Sequence, residues 1–254
     1  MKKKRRASDI QSVIMTVLSL MTVITSISMG LLLYNRYETA MRQNDVRDAQ
    51  NMMETIVNSM EQYLKSMRQI SDTANYNVIQ ALDISSPEFN QELSLLYDSN
   101  KDKIQSIALY DMEGELLVAE PVTLQKEGVE VSRQSWFENA KAKIENMHFS
   151  TPHMQDLFQD DAKRYHWVIS LSRAVELTSN GNSTLGVLLV DMNYSSIEQL
   201  FNKANTDNSS EYVYLMDSDG EIIYHPKQKL IYTNLYEENN LEAVHYDDGS
   251  RSQE

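Results

Sequence analysis

The 254-residue chain contains no cysteine, which excludes disulfides, thiolate metal sites and a lipidated N-terminal cysteine. Its seven glycines form no Gly-rich ATP-binding motif, and neither glycine nor proline interrupts Leu31 to Ser86. Charge is missing from Ile10 to Asn35. Basic residues are scarce elsewhere: the formal charge is −14, the first 35 residues carry +4, and the remainder therefore carries −18. Such a surface does not suit nucleic acid, whose recognition needs basic patches. No nucleophile paired with a base and no metal-ligand cluster stands out, so an enzyme is the least favoured class, with no catalytic residue, metal or cofactor assigned. What remains is a globular composition, 41% hydrophobic and 24% charged, long enough for one or two domains with a real core.

The start reads as a membrane segment. Lys2, Lys3, Lys4, Arg5 and Arg6 precede the uncharged stretch, and about 20 apolar helical residues cross a ~30 Å hydrocarbon core. The Ser and Thr within it can bond their own helix carbonyls. Residues 1–9 are then cytoplasmic, 10–35 a transmembrane helix, and Arg36 onward extracellular. A cleaved signal peptide would show a shorter apolar region and an A-x-A-like site.

Residues 36–82 read as one long helix. Val46, Ala49, Met53, Ile56, Met60, Tyr63, Met67, Ile70 and Ala74 follow a 3-4 spacing, so the lower half can pair with a second copy and the upper half with its own domain. A second helix starts at "SSPEFNQELSLLYDS", with Ser86 as cap and Pro87 at the first helical position. The texture then turns to strands. "KIQSIALYD" and "LLVAEP" flank a turn with Gly114. "SWFENAKAKIEN" reads as a helix with Ser135 as cap and Glu138 as its capping-box partner. "YHWVISLSRAVEL" is a long strand, "SNGNSTLG" a turn, and "VLLVDMN" a central strand. The order gives an α+β fold, an antiparallel sheet with segregated helices. One motif recurs: "SIALYDMEGELLVAEP" and "EYVYLMDSDGEIIYHP" align Asp111, Gly114 and Glu115 with Asp217, Gly220 and Glu221, 106 residues later.

The transmembrane start, the long helix, "WFENA", "HFSTPHMQDLF", "YHWVISLSRAVEL", "GVLLVDMNYSSIEQLF" and the repeated hairpin together resemble the extracellular double-Cache sensor region of bacterial transmembrane receptors. Within that group they resemble YesM-like sensor histidine kinases most. The resemblance implies two PAS-like lobes on one signalling helix: a membrane-distal lobe over 83–204 and a membrane-proximal lobe begun in 205–254 and left incomplete. It also implies a homodimer through the long helix and a longer receptor with a second membrane helix, a HAMP linker and a kinase core, of which this chain would be a fragment. A chemoreceptor ectodomain, or a membrane-anchored structural or adhesive protein, are the alternatives.

In the amino-acid-binding subset of that group, an Arg two residues before a Trp-aromatic pair clamps the ligand carboxylate and a strand Asp takes the ammonium. Trp136, Phe137 and Asp191 match. Gln134 stands at the Arg position, Arg133 precedes it, and Val129 replaces a Tyr. The implied ligand is a small molecule, a sugar, organic acid or amino acid, with sugars and organic acids favoured. Trp136 is equally a core aromatic, and Asp191 a cap or turn residue. Trp167 and Arg173 share a strand face by period two, where Arg173 binds an anion or sugar or pairs with a nearby acid. His148 and His153 read as a surface loop, and Asp217 with Asp219 as an acidic turn, since the calcium-loop Glu position is Gln228. The topology has a direct check: protease added to wall-less cells is expected to digest the region after Arg36, and protection of that region would overturn it.

Overall fold

The computed structural model describes residues 2–144, 146–159, 166–202, 205, 212–217 and 220–238, with side chains from residue 13. The side chains of the Lys2–Arg6 cluster, Asp219, His245, the lobe boundary at 203–204 and the tail 239–254 lie outside the described residues. Residues 1–54 and 55–254 form two compact units. The described residues of the first are all helical. It belongs to α1 (Lys2–Thr73), whose apolar part has a mean hydropathy of 2.0 and is long and apolar enough to cross a membrane. Large apolar side chains from Val13 to Tyr37 are more than half exposed, a surface suited to hydrocarbon.

In the second unit the upper seam of α1 is buried as expected. Ile56, Met67, Ile70 and Ala74 join the main core, with Met60 and Tyr63 half-buried beside them. The α-helix gives way at Thr73 to a π-helical turn, Ala74–Ile79, before the chain leaves the helix. Helix α2 (Pro87–Asn100) starts as its sequence dictates: Pro87 is at the first position and the Ser86 hydroxyl accepts from the Phe89 N–H at 3.2 Å. Such a cap contributes about 1 kcal/mol. Burial of Phe89 and Leu93 adds about 1.5–3 kcal/mol each and fixes the helix on the sheet.

The sheet contains β1 (Ile104–Asp111), β2 (Leu116–Glu120), β3 (His148–Phe149), β4 (His153–Met154), β5 (Trp167–Ser179) and β6 (Asn182–Asn193). Its order is β2-β1-β6-β5-β3, with β4 also pairing β5, and every named pair is antiparallel. The β5–β6 hairpin runs in register from Val168↔Asn193 to Ser179↔Asn182. Its turn is only Asn180-Gly181, both at positive φ (49° and 77°), the two-residue form that matches strand twist. The segment read as a turn, "SNGNSTLG", is therefore mostly strand. The pairing of Asn182 to Leu185 with β5 outweighs their polar composition.

Strand alternation gives the sheet two covered faces. Ile107, Leu109, Leu171, Val175, Leu188 and Val190 pack with α1 and α2. Ala108, Tyr110, Val187 and Leu189 pack with α3 (Ser135–Ala142) and with Leu157 and Phe158. The cap of α3 differs from expectation. Gln134, not Ser135, is the N-cap, without a side-chain cap bond, and its carbonyl accepts from Phe137 and Glu138 N–H.

After α4 (Ser195–Asn202), β7 (Leu215–Met216) and β8 (Ile222–Tyr224) form a separate two-stranded sheet, followed by α5 (Gln228–Tyr232). The repeated motif makes the same turn twice. Gly114 N–H bonds the Asp111 carbonyl at 3.2 Å and Glu115 N–H bonds Asp111 Oδ1 at 2.8 Å. Gly220 bonds the Asp217 carbonyl at 3.2 Å, and Glu221 N–H bonds Asp217 Oδ1 at 2.8 Å. Gly114 and Gly220 have φ of 93° and 86°. The Asp side chain closes the turn and Gly supplies the left-handed residue.

At Gly186 the central strands approach too closely for a side chain. A Cβ there would lie 2.6 Å from the Tyr110 carbonyl oxygen and would meet Leu177 Cδ2. Gly186→Ala is expected to destabilise the unit by about 1–3 kcal/mol, read as a lower denaturant midpoint. An unchanged midpoint would show that β1 and β6 can separate without cost.

Candidate functional site

The sequence-derived site residues divide between the two faces of the sheet. Trp136 and Phe137 enter from α3 and are buried against the face that carries Tyr110 and Asp191. The Ser172 hydroxyl donates to the Trp136 carbonyl at 2.9 Å, fixing the helix start over β5. Trp136 lies 5.6 Å from the Tyr110 ring and 5.6 Å edge-on to Phe137. Trp167 and Arg173 face the other way. Arg173 pairs with Asp72 of α1 at 2.8 Å and lies 5.7 Å from the Tyr76 ring. Trp167 lies 4.9 Å from Tyr232 of α5 and 6.1 Å from Tyr194. Arg133 is exposed in an ion pair with Glu130 at 2.7 Å, and Gln134 is the half-buried cap of α3.

Asp191 is 1% exposed. Its Oδ2 accepts from Ser106 Oγ at 2.8 Å and its Oδ1 from Ser170 Oγ at 2.5 Å. Burial pushes its carboxyl above the usual range, against the two serine hydrogen bonds and the pull of His153. Ser170 and Ser172 put a polar stripe on one face of a buried strand. The alternation in "WVISLSRAV" that puts Trp167 and Arg173 on one face puts Ser170 and Ser172 on the other.

Among the described residues five buried side-chain atoms lack a hydrogen-bond partner. Two are on this face: the Tyr110 hydroxyl and His148 Nε2. Tyr110 shares its face of β1 with Ala108, and His148 pairs with Ser172 across β3–β5. An unpaired buried polar group costs about 1–3 kcal/mol. Ser71 Oγ and Asn75 Oδ1 lie at the π-helical end of α1, and Gln228 Oε1 lies in α5. His148, assigned above to a surface loop, is instead half-buried in the sheet.

A flap covers the site. Lys126 N–H bonds the Leu157 carbonyl (2.8 Å), Gln159 N–H bonds the Leu124 carbonyl (2.9 Å), and the Thr123 hydroxyl bonds the Gln159 carbonyl (3.0 Å). Two loop segments are thereby tied together and bury Leu157 and Phe158 beside Trp136. Lys141 of α3 donates to the Met112 carbonyl at 2.9 Å. The described residues contain no group of three or more potential metal ligands.

A second polar cluster sits beside β8. Glu238 Oε2 accepts from Tyr212 and Tyr236 hydroxyls at 2.8 Å each and from His225 Nε2 at 3.0 Å. Lys227 N–H donates to His225 Nδ1 at 2.9 Å, so Nδ1 is bare and the proton sits on Nε2. Burial holds His225 below its usual range despite the carboxylate. The hydrogen bonds hold Glu238 below its own, against desolvation. The contact is therefore a neutral imidazole on a carboxylate.

Residues 37–253 match a family model described as Cache domain. Among solved structures, the chain is similar to the ligand-binding domain of the Pseudomonas fluorescens chemoreceptor CtaA in complex with L-valine, at TM-score 0.54 and 16% identity, covering 74% of this chain and 78% of that one. It is also similar to that of the Pseudomonas aeruginosa amino acid chemoreceptor PctC in complex with GABA (0.52, 19%, 70% and 74%). A third is that of the Pseudomonas aeruginosa chemoreceptor PctB in complex with L-Gln (0.51, 17%, 70% and 67%). At these identities the likeness is one of fold. No curated protein sequence matches.

The second cluster predicts acid sensitivity. His225 has a depressed folded pKa, so the unfolded chain binds the extra proton. Its contribution is complete above about pH 6.5 and is lost as pH falls through its lower folded value. Glu238 adds a further loss below about pH 4.5. Hydrogen-exchange protection of Leu215–Tyr224, corrected for intrinsic rates, is expected to fall from pH 7 to pH 5 in the wild type and to be low and flat in His225→Ala. Protection independent of pH in the wild type would refute the neutral-imidazole arrangement.

Proposed function

The chain belongs to the Cache-domain family, and from that premise we propose that it is the extracytoplasmic ligand-sensing region of a transmembrane sensor histidine kinase. Its ligand would bind on the α3 face of the sheet. The observation that carries the proposal is the pair of unpaired buried atoms, Tyr110 OH and His148 Nε2, on the face that also holds Trp136 and Asp191. Most buried polar atoms in folded proteins are paired, and a polar ligand on this face would pair these two. The flap excludes water once the ligand is in, and its opening would admit it.

The ligand we propose is small, polar and hydroxylated, a sugar before an organic acid or a free amino acid. Trp136 offers an apolar ring. Tyr110 and His148 offer polar atoms. The described cations near this face are engaged, Arg133 by Glu130 and Lys141 by the Met112 carbonyl, leaving neither aimed at a ligand carboxylate. Signalling would pass through β5. Its Ser170 and Ser172 face the site, and Arg173 grips Asp72 of α1 from the opposite face. A ligand acts only by its differential affinity for two arrangements of this contact. The lower seam of α1 would pair with a second copy, with the N-terminus cytoplasmic. The output domain rests on the sequence resemblance, and a chemoreceptor output is the second reading, favoured by the solved structures of like fold.

Thermal unfolding of the chain in detergent, against sugars, organic acids and amino acids, tests this. A ligand at 100 times its Kd stabilises by about 2.7 kcal/mol. Trp136→Ala is expected to abolish the response. Tyr110→Phe is expected to remove the response while stabilising the empty protein by about 1 kcal/mol, because it deletes an unpaired buried hydroxyl. A Tyr110→Phe protein of unchanged stability that still responds fully would refute the site.

A further inference from the structure

His153, like His148, reads from the sequence as a surface-loop residue. In the structure it lies on β4, pairs across to Val168 at the start of β5, and reaches Asp191 through a serine. Its Nδ1 is 2.9 Å from the Thr151 carbonyl oxygen. A carbonyl only accepts, so Nδ1 carries a proton. The Ser150 hydroxyl, 3.3 Å from the same nitrogen, accepts the Ser170 N–H at 2.9 Å. On the other side of the ring, Nε2 lies 3.3 Å from Ser170 Oγ, which lies 2.5 Å from Asp191 Oδ1.

Ser170 has one hydroxyl proton and two neighbours that need it. Two arrangements satisfy the whole chain. In the first, His153 is an imidazolium, Nε2–H donates to Ser170, and Ser170 donates to an Asp191 carboxylate. In the second, Asp191 is protonated and donates to Ser170, which donates to a bare Nε2. Both hold the same number of protons. Remove one proton and Ser170 can serve only one side, leaving either a buried carboxylate oxygen or an imidazole nitrogen without its donor.

Resting on the ligand-sensing reading above, we infer that the proton shared between His153 and Asp191 through Ser170 compensates the Asp191 carboxylate from within, as a ligand ammonium would otherwise do, and so makes the site select uncharged hydroxylated ligands over amines. The other titratable or charged groups toward Asp191 do not replace it. Asp156, on the loop after β4, is exposed and opposes its ionisation. Tyr110 of β1 is buried and held above its usual range, first by that burial and then by the Asp191 charge. His148 of β3 lies beside Ser172 rather than Ser170. From α3, Glu138 is exposed and Lys141 is tied to Met112.

Two measurements on the full chain in detergent decide it. The first is a double-mutant cycle of His153→Gln and Asp191→Asn on unfolding stability, with no ligand present. The expected result is a coupling of at least fivefold in the unfolding constant that disappears in a Ser170→Ala background. Additive effects, or a coupling indifferent to Ser170→Ala, would overturn the proton-sharing chain. The second compares the melting response to ethylene glycol and to ethanolamine at pH 7. Ethylene glycol is expected to act more strongly on the wild type and ethanolamine more strongly on His153→Gln. An unchanged order, including no response to either probe, would overturn the selectivity. Because the cycle needs no ligand, its failure leaves the sensing reading intact, and an empty ligand screen leaves the proton-sharing chain intact.

Discussion

The β5–β6 hairpin is buried on both faces, and the rest of the second unit follows from that constraint. Val187 to Met192 are buried without a break, so neither face of the central strand can be left to water. One face takes the upper seam of α1 and α2; the other takes α3 and the flap. The sheet is thus a plate with two unlike coverings. A period of two in β5 sends adjacent residues to opposite sides: Ser172 to α3 and Arg173 to α1. A displacement of β5 by less than a residue length is felt on both faces, since packed interiors transmit strain rather than absorb it.

The α1 side of this plate has its own irregularity. The helix changes from α to π geometry at Ala74, close to Asp72 and Tyr76, the two groups that hold Arg173. Ser71 Oγ and Asn75 Oδ1 are buried and unpaired in the same stretch. Short π segments often mark functional positions in helices. Here the distortion coincides with an ion pair joining α1 to the strand that carries the site. The Arg173 side chain is 13% exposed, so the pair is screened less than a surface pair.

Trp167, on the same strand face as Arg173, packs among aromatic rings. It stands at the start of β5 beside Tyr194, whose hydroxyl donates to the Ile223 carbonyl of β8 at 3.2 Å, and against Tyr232 of α5. Phe201 of α4 stacks on Tyr224 at 4.2 Å. These aromatic contacts seat the β7–β8 hairpin against the main sheet. Large rings with a polar end join two apolar surfaces while pairing their own hydroxyls.

By itself the sequence determined the elements and much of their chemistry. Local rules suffice for the charge-free apolar helix, the Ser86-Pro87 helix start, the alternation of β5 and the twice-used Asp-x-x-Gly-Glu turn, because each depends on neighbouring residues or on one hairpin. It also determined that Trp167 and Arg173 share a face and that Trp136 and Phe137 begin a helix. Only the tertiary structure decided which covering each face receives. Register places Asp191 opposite Ser170 and Ser106, and sheet order brings His148 and His153 alongside β5. It is likewise the tertiary structure that turns Arg173 to Asp72, 101 residues away. Those pairings join segments tens of residues apart, where neither periodicity nor capping carries information. A histidine two residues after "ST" reads as a loop until β5 is laid beside it.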